Sequence, residues 1–336
     1  MSTTTVPRSP LGRLSVRRLL DVLQSAGLLA VLIVVFVVVS VLEPHFISGA
    51  SLKTILVNSS QLAVCGVGMT MVIALRGIDL SVGSVEALAA VVAAKLSSTG
   101  TPLALAIAIA LLAGLVAGTI NGLIITQLRV PAFVATLGML SIAQGVALLY
   151  SNGGSFLVSD RAFTAIGRDV VLGVPLPFVI ALLALIAGWV LFNQTRFGRH
   201  TAAAGDNEEA AIASGIRVRS LIVAVFAIVG LTAALAGVLV TAQVGDVDAT
   251  VGMGFELNVI AVVVLGGTSL AGGRGNLPGT VLASVLVASI NAALNILGVQ
   301  TFYQYLAVGL LLILALALEA FRDRLTGSRP SARPGV

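Results

Sequence analysis

The sequence has few of the residues that build folds in water. Only 10% of its 336 residues are charged and 5% are aromatic, and it contains one cysteine and one tryptophan. A single cysteine excludes an intrachain disulfide and a cysteine-based metal framework. Because 58% of the residues are hydrophobic, the chain has too little polar surface for a soluble globular protein. It is therefore expected to lie in a lipid bilayer.

Motifs for catalysis, metal binding and nucleotide binding are also lacking. No phosphate-binding glycine-rich loop is followed by lysine, so ATP is not expected to bind to this chain. His45 and His200 have no carboxylate partner at metal-ligand spacing, so no metal site is expected. The net charge of +5 comes from scattered basic residues, which is not typical of a nucleic-acid surface. These absences point away from an enzyme.

Charge-free runs of about 20 residues are long enough to cross roughly 30 Å of hydrocarbon. Crossings are predicted at 24–42, 53–75, 82–96, 102–127, 131–150, 174–193, 219–242, 254–268, 277–297 and 302–320. The first run is too long for a signal-peptide core and is taken as an uncleaved crossing. The predicted fold class is all-α, a polytopic membrane protein with about ten transmembrane helices.

Basic residues predict the orientation. With both termini in the cytoplasm, 15 of the 19 Lys and Arg residues lie inside and 4 outside, which satisfies the positive-inside rule. The predicted domains are a cytoplasmic basic tail at 1–23, a transmembrane domain at 24–320 and a cytoplasmic tail at 321–336. The transmembrane domain includes a polar cytoplasmic loop at 194–218.

The two halves of the chain share a weak pattern. Asp79 to Gly83 reads Asp-Leu-Ser-Val-Gly and Asp248 to Gly252 reads Asp-Ala-Thr-Val-Gly, and each stretch is followed by a glutamate, Glu86 or Glu256. The copies are five predicted crossings apart, and an odd offset inverts the second copy in the membrane. An inverted internal repeat is typical of transporters. Capping of helix N termini accounts for the four acids themselves.

Uncharged polar side chains are numerous within the predicted crossings. They suit a translocation path for a neutral polyol, although amides and hydroxyls also bridge membrane helices. The candidate path residues are Asn58, Gln61, Asp79, Ser81, Asn121, Gln144, Asn291 and Asn295. Asn291 and Asn295 are four residues apart and share a helix face, as do Asn58 and Gln61, which are three apart.

The inner loop from Phe197 to Ile216 is the most specific motif. Gly205 and Asp206 interrupt the chain, Asp206 or Asn207 can cap a helix, and 208–214 then forms a short alanine-rich helix ended by Gly215. Such a helix is too polar to span a membrane and too short to be stable alone. It is expected to dock into a groove on a cytoplasmic protein.

This loop resembles the cytoplasmic coupling loop of ribose-type ABC sugar permeases. The residues that match the family pattern, and to which the resemblance assigns coupling to the ATPase, are Gly205, Asn207, Glu208, Glu209, Ala210, Ala211 and Gly215. The segments 77–84, 136–143 and 264–275 look like the same family. Gln144 departs from it, since members often carry arginine there.

The resemblance implies a permease subunit that binds no cofactor. A cytoplasmic ATPase with two fused nucleotide-binding domains would use ATP and Mg²⁺, and a periplasmic or lipid-anchored binding protein would deliver the sugar. A second permease copy would complete a homodimer or heterodimer in the bacterial inner membrane. Ribose, xylose, arabinose, galactose, rhamnose and polyols all fit.

Other functional classes make different predictions. A transporter coupled to an ion gradient would place an acid deep inside a crossing and would need no docking helix. An intramembrane enzyme would need carboxylates, His or Ser/Lys pairs clustered at membrane depth. An ABC exporter would need no binding protein.

Overall fold

The computed structural model describes residues 10–158 and 160–300 and the separate positions 303, 306, 309, 310, 313 and 317, with the backbone alone at 10–25. Helices dominate it: α1 (Pro10–Leu42), α2 (Gly49–Ala74), α3 (Val82–Ser98), α4 (Leu103–Gln127), α5 (Ala132–Ser151), α6 (Arg161–Arg168), α7 (Leu176–Trp189), α8 (Arg196–Asp206), α9 (Glu208–Ala213), α10 (Val218–Val244), α11 (Phe255–Leu265) and α12 (Leu277–Ile296). The strands are β1 (Phe156–Leu157), β2 (Val170–Val171), β3 (Val174–Pro175) and β4 (Asp246–Val247). The predicted helical class is confirmed.

Six helices are long and apolar enough to cross a membrane. They are α2, α4, α5, α10, α12 and the continuous stretch Leu176–Gln194, in which a five-residue π-helix, Val190–Gln194, extends α7. The apolar part of α1, Ala26–Leu42, and α11 are shorter apolar helices. These observations confirm a multi-pass membrane protein, while the count of ten crossings stays a prediction. The predicted tenth crossing, 302–320, lies outside the continuously described residues.

Helix α10 lies at the centre of the bundle, where it packs against α2, α3 and α4. The approach to α4 is close because both helices carry glycine at the crossing. A Cβ built on Gly230 would overlap the Gly114 carbonyl oxygen, and one built on Gly118 would overlap the Phe226 carbonyl oxygen. Small residues let membrane helices approach backbone to backbone, which maximises van der Waals contact where lipid removes the hydrophobic driving force.

Two helices begin inside the bundle. Helix α11 has 11 residues and is about 17 Å long, so it can span only about half of the hydrocarbon. It follows an irregular segment, 245–254, and α3 likewise follows a non-helical segment, 77–81. The two helix starts meet, since a Cβ on Gly83 would overlap the Gly252 carbonyl oxygen. Irregular backbone at membrane depth is tolerated where protein encloses it.

The two ends of the bundle differ. At the α9 end, the C terminus of α2 meets the α8–α9 junction and the glycine-rich segment 266–276. At the strand end, β1 pairs with β4 in antiparallel register, with Phe156 opposite Val247 and Leu157 opposite Asp246. There α6 lies against α10, and the Lys95 ammonium donates to the Tyr150 carbonyl at 2.6 Å. The segment that follows α5 is thus packed onto the bundle.

Replacing Gly230 with valine should lower the melting temperature of the protein in detergent by several degrees. The added methyl groups have no space against α4, and overpacking costs typically about 1–3 kcal/mol. The matched control is Gly138→Val in α5, where a Cβ meets nothing within 4 Å. Equal losses in the two variants would contradict the packing explanation.

Candidate functional site

Helix α9 forms as the motif predicts. The Asn207 side chain accepts a hydrogen bond from the Ala210 amide at 3.1 Å, and Gly215 ends the segment in the left-handed region with φ of 82°. Glu208 and Glu209 lie in the first turn, where carboxylates interact favourably with the helix dipole. The Asn207 cap and helix α9 are confirmed, with the last helical residue at Ala213, but Gly205 and Asp206, which were expected to interrupt the chain, are the last two residues of α8.

The outer face of α9 combines acids with an apolar side chain. Glu208 and Glu209 are exposed, and Ile212 is 56% exposed although it is a large apolar residue. Ala211 faces inward and packs with Val218 and Leu221 of α10. One face of the short helix is therefore fixed to the bundle, and the opposite face is available for a partner.

The α8–α9 junction is joined to the rest of the bundle by tight backbone contacts. A Cβ on Gly205 would overlap the Ala74 carbonyl oxygen at the end of α2. Arg76 donates from Nε to the Ala271 carbonyl and from Nη2, at 2.9 Å, to the Asp206 carbonyl. The Gly273 amide donates to the Ala74 carbonyl at 2.8 Å. The α8–α9 junction is therefore in direct contact with the end of α2 and with the segment that leads into α12.

Asp79 organises the segment before α3. Its Oδ1 accepts hydrogen bonds from the Ser81 amide at 2.8 Å and the Ser81 hydroxyl at 2.6 Å. Asn121 of α4 donates to that hydroxyl at 3.0 Å, and all three residues are buried. The structure thus brings three of the sequence-predicted path residues together as a bridge between α3 and α4.

Asp248 repeats the same turn in the other half of the chain. Its Oδ1 accepts from the Thr250 amide at 2.7 Å and from the Thr250 hydroxyl at 2.6 Å. Asp248 lies in the loop before α11 and is largely exposed, and the hydrogen bonds from the Thr250 side chain and then its backbone lower the pKa of its carboxyl. The two predicted repeat motifs therefore share one local geometry.

Glu86 does not cap a helix, contrary to the sequence-based interpretation. It is the fifth residue of α3, is 2% exposed, and its Oε2 has no hydrogen-bond partner among the described residues. A Cβ on Gly252 would lie 3.0 Å from that oxygen, and one on Gly83 would overlap Glu256 Oε2. Two carboxyl groups thus flank the contact between the helix starts. The signal for this burial in the sequence was the position of Glu86, four residues after the start of the predicted crossing 82–96.

Asn58 and Gln61 of α2 meet a residue that the sequence analysis missed. The Gln243 side chain donates to Asn58 Oδ1 at 2.8 Å and accepts from Gln61 Nε2 at 2.5 Å. Gln243 is the penultimate residue of α10 and was hidden by its place at the end of an apolar run. These partly buried amides lie toward the strand end.

The remaining candidate path residues lie apart. Gln144 of α5 donates to the Ala249 carbonyl at 2.6 Å, so α5 is joined to the irregular segment before α11. Asn291 and Asn295 lie near the C-terminal end of α12, the first half-buried and the second exposed. For these residues the path role stays a prediction.

The chemistry available at these positions is hydrogen bonding, by neutral amides and hydroxyls and by the Asp79 carboxyl group. Among the described residues, no group of three or more His, Cys, Asp and Glu side chains could hold a metal ion. Cys65 is buried within α2. The arrangement suits recognition of hydroxyl groups better than covalent chemistry.

Known proteins resemble this chain over most of its length. Residues 51–316 match the family described as branched-chain amino acid transport system, permease component. The ribose import permease protein RbsC of Bacillus subtilis is 39% identical over 300 residues, which is 89% of this chain and 93% of the relative. No solved structure matches.

Two relatives carry the names of other sugars. The D-allose transport system permease protein AlsC of Escherichia coli is 36% identical over 295 residues, 87% of this chain and 90% of the relative. The L-arabinose ABC transporter permease protein AraH of Azospirillum brasilense is 32% identical over 302 residues, 90% of this chain and 89% of the relative. The chain thus spans nearly the whole length of each.

Substitution of the Asp79 carboxyl group and of the Glu86 carboxyl group should change the melting temperature of the protein differently. Asp79→Leu leaves the Ser81 amide without its acceptor, and hydrogen bonds to charged groups contribute about 1.5–3 kcal/mol, so the melting temperature should fall. Glu86→Gln keeps the side-chain shape and removes a carboxyl group whose Oε2 has no hydrogen-bond partner among the described residues, so the melting temperature should hold or rise. Thermal unfolding in detergent measures both, and a comparable drop in the two variants would be the contrary result.

Proposed function

The chain belongs to the branched-chain amino acid transport-system permease family, and we propose that it is the permease subunit of an ATP-binding cassette importer for a monosaccharide or related polyol. The relatives named for ribose, D-allose and L-arabinose support a sugar substrate. In this proposal the chain binds no cofactor, and a separate cytoplasmic ATPase with two fused nucleotide-binding domains uses ATP and Mg²⁺.

The observation that carries the proposal is the anchored, outward-facing helix α9. Its exposed face presents Glu208, Glu209 and Ile212, which suit a groove with basic residues around an apolar pocket. Its inner side packs on α10, and the end of α8 that precedes it is joined through Gly205 and Arg76 to α2. Closure of the ATPase would push α9 and move α2 and the segment before α12, which would switch the path between outward-open and inward-open.

The remaining partners follow from the same assignment. A periplasmic or lipid-anchored sugar-binding protein would dock at the strand end, and a second permease, identical or homologous, would complete the transporter in the inner membrane. The orientation with both termini in the cytoplasm is supported by an excess of basic residues at the α9 end, where Arg76, Arg196, Arg199, Arg217, Arg219 and Arg274 lie, over the strand end, where Lys95, Arg161 and Arg168 lie.

We also propose that the domain is an inverted repeat that relates α2, α3 and α4 to α10, α11 and α12. The packing supports this relation between the halves. The contact of α4 with α10 corresponds to that of α12 with α2, and the contact of α3 with α10 corresponds to that of α11 with α2. The turns at Asp79 and Asp248 are alike, and Gly83 and Gly252 meet in a reciprocal contact. Such repeats place the substrate path near the contact of the broken helices.

An ion-coupled carrier is the second candidate, and one observation favours it. Glu86 is a buried acid within α3, as that class requires. The family relationship and the exposed α9 favour the ATP-driven importer. Uptake by a carrier would stop when a protonophore collapses the gradient and would not need the ATPase.

Glu208→Lys combined with Glu209→Lys should abolish sugar uptake and co-purification of the ATPase, while the permease still inserts. The charge reversal repels a basic groove and opposes the helix dipole. The assay is uptake into proteoliposomes that contain the assembled transporter, ATP and the binding protein.

The matched control reverses two acids at the opposite end of the bundle, Asp169→Lys with Asp246→Lys. This variant should keep the ATPase bound, since both residues are exposed at the strand end. ATPase binding and ATP-driven uptake at wild-type levels in the Glu208/Glu209 variant would refute the coupling role of α9.

Cysteine substitution can test the path, because the only native cysteine, Cys65, is buried. Gln61→Cys and Gln144→Cys should react with a membrane-impermeant thiol reagent from the periplasmic side, and saturating sugar with its binding protein should slow the reaction. Val37→Cys, on the lipid-exposed face of α1, is the control and should stay unreactive. If sugar does not change the reaction rate at either position, the two glutamine positions do not line the path.

A further inference from the structure

A cavity of about 850 Å³ lies at the α9 end, beside α8, and none of the candidate path residues lines it. Its walls come from four parts of the chain: α1, the π-helix that extends α7, α8, and the glycine-rich segment 266–276 with the start of α12. Helix ends surround it, which places it at the boundary between hydrocarbon and the polar interface rather than at membrane depth. Nothing in the proposed transport mechanism uses it.

The polar part of the cavity is positively charged. Arg199 of α8 and Arg274 of the glycine-rich segment line it, and no acidic residue does. The polar contact recorded for the Arg199 guanidinium is a long one of 3.4 Å from Nη1 to the Gln194 carbonyl. Asp206 lies against Gly273 outside the cavity lining, and Arg76 donates to its backbone carbonyl. Two exposed guanidinium groups therefore line this cavity, and its lining among the residues with described side chains, from 26 onward, includes no carboxylate.

The opposite part of the cavity is apolar and continues onto the lipid-facing surface. Ala26 and Leu29 of α1 form one wall, with Phe192 and Leu282 beside them. Leu29 is 47% exposed and begins a row of exposed apolar side chains on α1 that includes Ile33 and Val37. An occupant of this cavity would meet cations at one side and the acyl region of the bilayer at the other.

We propose that this cavity binds the phosphate headgroup of an anionic phospholipid, with Arg199 and Arg274 on the phosphate and an acyl chain along α1. Guanidinium groups bind phosphate by paired hydrogen bonds, and basic pockets between membrane helices at the interface suit anionic lipid headgroups. The apolar wall of α1 favours a lipid over a soluble phosphate. The bound lipid would tie α1 to α8 and to the segment before α12.

The test is native mass spectrometry of the full-length permease in detergent, titrated with cardiolipin, phosphatidylglycerol or phosphatidylcholine. The wild type should bind the two anionic lipids in preference to phosphatidylcholine. Arg199→Gln with Arg274→Gln should weaken anionic lipid binding by roughly tenfold or more, because each cation near the headgroup contributes to the attraction. Ala202→Trp, which fills the cavity without changing charge, should weaken it as well.

The matched control is Arg196→Gln with Arg217→Gln, which removes two exposed arginines near the same loop that do not line the cavity. It should bind lipid like the wild type. Equal weakening in both double variants, or none in the cavity variant, would overturn the proposal. Displacement of lipid by millimolar inorganic phosphate would assign a soluble anion instead. Loss of ATPase co-purification from the cavity variant with unchanged lipid binding would assign the cavity to the ATPase.

Discussion

The absence of water in the bilayer is the constraint on which the rest of this structure depends. Every backbone amide and carbonyl at membrane depth must find a partner within the protein, since an unsatisfied group there costs several kcal/mol. The segment 77–81, which is largely buried, satisfies this rule only because the bundle encloses it, whereas 245–254 contains β4 and is partly exposed at the strand end. Asp79 and Asp248 supply the missing acceptors by the same turn, and the contact of Gly83 with Gly252 closes the space between the two helix starts.

Close packing of α10 follows from the same constraint. A broken helix can be enclosed only if its neighbours approach closely, and the glycines at 114, 118 and 230 permit that approach. Small residues at the crossings do for this protein what large apolar side chains do in a soluble core. Large apolar side chains such as Phe226 and Met69 are also buried in the bundle, and others are exposed along α1, α4 and α5, where lipid would cover them.

In the proposed mechanism, the polar loop at the α9 end acts on the path without entering it. Arg76 and Gly205 join the end of α8 to the end of α2, and α2 carries Asn58 and Gln61 in its N-terminal half. Helix α2, which has 26 residues, runs from the α8–α9 junction toward the strand end. Movement at the loop therefore has a continuous physical route to the half of the molecule where a sugar would arrive.

The sequence by itself determined the helical membrane class, most helix limits and helix α9. These features follow from local rules: charge-free length, an asparagine cap and a terminal glycine. The family resemblance rested on the same polar loop. The likeness of the Asp79 and Asp248 turns was also visible, because two residue types at fixed spacing form that turn anywhere.

Only the tertiary structure decided what the buried polar residues contact. Glu86 was expected to cap a helix, but the approach of Gly252, 166 positions further along the chain, encloses it. Gln243 was missed because its partners Asn58 and Gln61 are more than 180 residues away in sequence. The cavity that Arg199 and Arg274 line together was likewise not predictable, because the two residues are far apart in the sequence. Such contacts depend on how the helices cross, and the crossing depends on side-chain packing between distant segments. Hydrophobic patterns and residue spacing describe each segment separately, so they do not predict these contacts.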